Sequence, residues 1–175
     1  YGSLVAPGVN GMIHEHYFNV RLDMSVDGDV NTVVEMQADR VPAGPENPHG
    51  NAHGVSQTVI TSEQGGARNT APKDSRFWKI ENRSRANRLG WHPAYKLMPG
   101  PNVAPMHQPG SPFMRRAGFV EHDLWVTAYD PDELHAPGQY VNQNVAGPAL
   151  PEWIQKERNL VDSDVVLWHT VGVQH

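Results

Sequence analysis

Glycine and proline interrupt this chain so often that long regular elements are excluded. Sixteen glycines and fifteen prolines are spread over 175 residues. Proline removes a backbone donor, and glycine weakens the interior of helices and strands, so each cuts the chain into short segments. The pattern predicts an all-β fold with long loops. Strands are expected at residues 14–26, 31–36, 56–61, 76–82, 94–98, 117–120, 124–129 and 165–173. The turn Asp27-Gly28-Asp29 should join the first two as a hairpin. Residues 41–53 read as a loop or extended arm, and 64–75, 99–112 and 130–150 as irregular chain. One short helix is expected at 151–159, with Pro151 at its start.

Composition narrows the function. The chain is long enough for one core of ordinary size and shows no repeat or internal boundary. Fourteen Lys and Arg stand against nineteen Asp and Glu, a formal charge of −5 with no basic stripe, which argues against a nucleic-acid surface. The absence of cysteine excludes disulfides and thiolate metal sites within the chain. No apolar run approaches the roughly 20 residues of a membrane helix. Asn82-Arg83-Ser84 fits a glycosylation sequon, a triplet common by chance. Tyr1 opens the chain in a strand-like stretch and His175 closes it inside another, which suggests a segment of a longer polypeptide.

The chemistry is concentrated in histidine. His14 and His16 sit at i and i+2 of an alternating strand, on one face and roughly 6.5–7 Å apart along the chain. That face continues with Phe18, Val20, Leu22 and Met24. Glu15, Tyr17, Asn19, Arg21 and Asp23 point the other way. Two imidazoles so placed can converge on one ion, and a third from a distant segment would complete a three-nitrogen site. Such a set suits copper, zinc, nickel or iron. His169 and His175 share one parity but stand ~20 Å apart on an extended strand, so a single ion cannot take both without a sharp bend. Glu15 faces away and is placed to act behind the ligands rather than among them.

Several motifs together resemble the copper-ligand region of copper-containing amine oxidases. They are Tyr1-Gly2-Ser3-Leu4-Val5-Ala6-Pro7-Gly8 leading into His14-Glu15-His16, then Arg21-Leu22-Asp23-Met24 and Glu46-Asn47-Pro48-His49-Gly50-Asn51-Ala52. Asn87-Arg88-Leu89-Gly90, Leu124-Trp125-Val126-Thr127, Tyr140-Val141-Asn142-Gln143 and Trp168-His169-Thr170-Val171-Gly172-Val173-Gln174-His175 complete the set in the family's order. The resemblance implies part of a large β-sandwich catalytic domain, spanning residues 1–175, in a homodimer with hairpin arms. It implies that His14, His16 and His175 bind copper(II), with Glu15 where the family usually has Gln. A second structural cation, often calcium, is implied at Asp23, the carbonyl of Met24, Asp164 and the carbonyl of Val165, a hard-oxygen set. Some members carry a further carboxylate where this chain has Ser25.

The implied reaction takes a primary amine and oxygen to an aldehyde, ammonia and hydrogen peroxide. It uses a topaquinone made from a tyrosine, and an aspartate that removes the α-proton. In the family both lie upstream of the histidine pair. None of Tyr1, Tyr17, Tyr95, Tyr129 and Tyr140 has the Asn-Tyr-acid context of that cofactor, so no catalytic residue is assigned within this chain. A His₃ zinc enzyme, a cupin and a non-catalytic β-sandwich module are the alternative readings. A cupin usually adds a Glu three or four residues past the pair, where Asn19 and Val20 stand here.

Overall fold

The computed structural model describes residues 2–142 and 147–175; Tyr1 and 143–146, within the expected 130–150 loop, lie outside it. Among the described residues nine strands form three antiparallel sheets. A small hairpin pairs β1 (Gly2–Ala6) with β2 (Val9–Met12). A three-stranded sheet has the order β3 (Glu15–Asp23), β9 (Val165–Gln174), β8 (Leu124–Ala128). A four-stranded sheet has the order β5 (His53–Val59), β4 (Thr32–Arg40), β6 (Phe77–Glu81), β7 (Ala94–Leu97).

The two larger sheets face each other over the main core. Val33, Trp78 and Ile80 from one meet Leu124, Val126, Val165 and Leu167 from the other. The three-stranded sheet is also covered on its second face. There Trp125, Val166 and Trp168 pack against Leu150, Trp153 and Ile154. A strand buried on both faces needs a continuous apolar run rather than alternation. β8 and the start of β9 have such runs: Leu124 to Thr127 and Val165 to Trp168 are all buried.

Two sequence expectations are corrected. β3 and β4 do not form a hairpin: β3 pairs with β9, and β4 with β5 and β6. The cause is Asn31, fully buried between them. Its side chain accepts from the Val26 N–H (3.0 Å) and donates to the carbonyls of Val26 (3.3 Å) and Gly28 (3.1 Å). This knot, with Asp27 and Gly28 both at positive φ, carries the chain from one sheet to the other. Residues 117–120 are not a strand either. Gly118–Glu121 is a 3-10 turn, closed by the Val120 N–H to the Ala117 carbonyl (3.0 Å). It presents Phe119 and Val120 to the interior, and alternation in so short a run does not separate turn from strand. The helical content also differs. The expected helix is a short α2 (Leu150–Trp153) followed by a 3-10 turn at Ile154–Lys156. A further helix, α1 (Pro112–Arg116), is capped by Ser111, whose Oγ accepts from Met114 N. The β4–β5 hairpin carries residues 41–52 at its tip, consistent with the loop-or-arm reading.

The sequon is closed. Asn82 is buried, and its amide donates to the carbonyls of Val26 and Asp27, both at 3.0 Å. Its nitrogen is committed to the same inter-sheet crossing that Asn31 braces. Mass analysis of the tryptic peptide from a glycosylating host is expected to find Asn82 unmodified.

Glu35 is one of several buried carboxylates and sits on the core face of β4. Glu35, 4 % exposed, lies opposite Trp78 in the β4–β6 ladder. It accepts from Arg68 Nε (2.8 Å) and Trp78 Nε1 (3.0 Å), with Arg76 Nε at 3.3 Å. Burial alone would raise its carboxyl, but the Arg68 and Trp78 hydrogen bonds and the Arg68 and Arg76 charges outweigh this and hold it below the usual range. A depressed carboxyl contributes stability in full above the ordinary carboxylate range and loses it as pH falls through the folded value. Glu35→Ala should cost about 3–5 kcal/mol, because it strands the arginines beside a buried site. Calorimetry should show the gap between wild type and Glu35→Gln in unfolding midpoint narrowing as pH drops below about 4.

Candidate metal centre

The site is built by the register of β3 against β9. Glu15 pairs with Gln174 and His16 with Val173. Beyond the strand ends, His14 N donates to His175 O (2.9 Å) and His175 N to His14 O (3.1 Å), so these two residues are directly opposed. Opposed residues in an antiparallel pair share a face, with Cβ atoms about 4.5–5.5 Å apart. His16 is two positions from His14 and shares that face. The ring centroids lie 4.7 Å (His14–His16), 4.3 Å (His14–His175) and 5.0 Å (His16–His175) apart. One potential ligand nitrogen from each lies within 4.8 Å of the others, the one such group of three among the described residues. Two metal–imidazole bonds span at most about 4 Å. Slight side-chain rotation therefore closes the set around one ion. The His14 ring is already oriented, since its Nδ1 lies 2.8 Å from the Met12 carbonyl. A carbonyl only accepts, so Nδ1 carries the hydrogen and Nε2 keeps its lone pair for a metal.

All three rings are exposed, and so are Phe18 and Val20 beyond them on the same face. The apolar face of β3 is thus open at the histidine end, while Glu15, Tyr17, Asn19 and Arg21 on its polar face are half-buried. His169 lies on the histidine face, opposite Val20 and Leu124, and is not part of the group. Burial holds its imidazole below the usual range, against the opposing pull of Asp123.

A family model described as copper amine oxidase, enzyme domain, matches residues 1–175. The chain belongs to the copper amine oxidase family. The histamine oxidase of Arthrobacter globiformis is 39% identical over 175 residues, covering 100% of this chain and 26% of that protein. Diamine oxidase 1 of Nicotiana tabacum, a peroxisomal protein, is 39% identical over 180 residues, 100% of this chain and 23% of that one. The crystal structure of a copper-containing benzylamine oxidase from Hansenula polymorpha matches with a TM-score of 0.86 at 30% identity. That match covers 95% of this chain and 26% of the other. The chain therefore spans about a quarter of the length of these relatives.

In this copper amine oxidase segment the expected second-cation residues lie at neighbouring positions at one end of the β3–β9 ladder. Asp23 ends β3, Asp164 precedes β9, and Met24 N donates to the Val165 carbonyl (3.3 Å). Burial first, then the charges of Asp23 and Asp29, raise the Asp164 carboxyl, and Arg21 opposes them. Arg21 also pairs with Asp23 at 3.1 Å and competes for that carboxylate. Asp29 was not singled out from sequence, where it reads only as a turn residue.

Behind the histidines, burial first and then the neighbouring Glu15 carboxylate push the Tyr17 hydroxyl up to about 12, so it stays a neutral phenol. Its ring lies against Gly172, where an added Cβ would stand 2.6 Å from Tyr17 Cε1 and 3.0 Å from Val103 Cγ2. Gly172→Ala should therefore cost about 1–3 kcal/mol through overpacking. A lowered unfolding midpoint in the intact protein is the check.

Proposed function

We propose that this chain is the copper-binding segment of the catalytic domain of a primary amine oxidase. The enzyme would convert a primary amine, oxygen and water to an aldehyde, ammonia and hydrogen peroxide, using a topaquinone formed from a tyrosine outside these residues. The convergence of His14, His16 and His175 carries the reading, and family membership supports it. An all-imidazole donor set with no thiolate fits copper(II). When bound, copper supplies the oxygen chemistry that builds the quinone from its tyrosine. The three histidines hold the ion in neutral form, and the Met12 carbonyl fixes the His14 tautomer.

A structural cation such as calcium would sit at Asp23 and Asp164 with the carbonyls of Met24 and Val165. The support is a hard-oxygen donor set at one end of the β3–β9 ladder. There burial first and then the Asp23 and Asp29 charges raise Asp164, and a divalent ion would offset the charge repulsion. The working protein is a homodimer in this reading.

Metal analysis of the full-length protein tests it. Wild type and His169→Ala should carry copper and the visible quinone absorption, and His175→Ala should lose both. Zinc without a chromophore, or a normal chromophore in His175→Ala, would sink the assignment.

A further inference from the structure

Nothing among the described residues covers the histidine end of the ligand face of β3. Among the described residues β3 is the outer strand of its sheet, paired with β9, and β9 ends beside the histidines. On the ligand face His16, Phe18 and Val20 are exposed. Among the described residues the strand is gripped from behind, where residues 98–111 cross both strands. Asn102 fastens that loop to β9: its amide donates to the Thr170 carbonyl (3.1 Å) and its oxygen accepts from Gly172 N. Glu15 fastens it to β3. Its side chain is 5 % exposed. Oε1 accepts from Met106 N (3.0 Å), and Oε2 lies 3.2 Å from His107 Nδ1 at an ion-pair distance without hydrogen-bond alignment. The His107 ring stacks on Phe113 of α1, centroids 4.0 Å apart and planes 21° apart. The one residue between the two paired histidines is thus the residue that grips the loop.

We propose that Glu15 and His107 form a strut that sets the pitch of the ligand strand from its rear face, as positioning residues for the metal centre. The inference rests on the three-imidazole copper reading above. Glu15 tilts the backbone shared by His14 and His16, so losing it should loosen two ligands at once. A carboxylate suits the task because it offers one oxygen to the Met106 N–H and the other to the His107 ring. An amide keeps the first contact and turns an NH₂ toward the second.

The test uses full-length, copper-loaded protein and follows copper release to a chelator, together with the Cu(II) EPR spectrum. Glu15→Ala and His107→Phe, which keeps the stacking on Phe113, should each release copper roughly tenfold faster, the lower end of what outer support around a metal is worth. Each should also broaden the EPR hyperfine lines. Glu15→Gln should recover part of the loss. The double variant Glu15→Ala/His107→Phe should be no worse than Glu15→Ala alone, since the two act as one unit. A merely structural role would lower the unfolding midpoint and leave the EPR spectrum unchanged. That result, unaltered release in both single variants, or additive losses in the double variant would overturn the strut. His14→Ala is the control. If it loses copper while the strut variants behave as wild type, the strut alone fails. If it retains copper as wild type does, the three-imidazole reading fails and the strut with it.

Discussion

The β3–β9 ladder is the constraint on which the rest of this structure depends. Side chains alternate with a period of two, so a slip of one residue would send His16 to the rear face and separate it from His175. The register runs from Glu15–Gln174 to Asp23–Val166 and continues through the mutual backbone bonds of His14 and His175. At one end the ladder aligns three imidazoles. At the other it brings Asp23 beside Asp164, so one pairing positions both groups of candidate metal ligands.

What holds this register is burial away from the histidines. β8 and the first half of β9 are sealed on both faces by the two cores, with Trp125 and Trp168 on one side and Leu124 and Leu167 on the other. Among the described residues the histidine end has no such cover. It is stiffened instead by polar contacts on the rear face, through Asn102 and Glu15, and by the close fit of Tyr17 over Gly172. Hydrophobic burial fixes the ladder, and hydrogen bonds refine its exposed tip.

Much of the site could be read in the sequence because it follows local rules. The i, i+2 spacing of His14 and His16 and the separation of His169 from His175 along one strand follow from strand geometry, and both appear in the structure. The partner of that strand was not readable. Asp27-Gly28-Asp29 looks like a hairpin turn, and only the buried Asn31 amide, bonded to Val26 and Gly28, sends the chain to another sheet. His107 was equally hidden. Its contact with Glu15 joins residues far apart in the chain, and nothing in a Pro-rich loop marks it. His175 entered through family likeness, since parity alone offered it and His169 as alternatives. The phenylalanine and valine beside the histidines illustrate a different limit: alternation shows which residues share a face, but not whether that face is covered.

The opposition of His14 and His175 also bears on timing. These residues belong to segments far apart in sequence, so they meet only by closing a very long loop, a late and slow kind of contact. His14 and His16 are neighbours from the start and can offer at most two nitrogens to a passing ion. A full three-nitrogen grip becomes available only after β9 has zipped onto β3. Capture of an ion by all three rings therefore reports that β9 has docked on β3 in the right register.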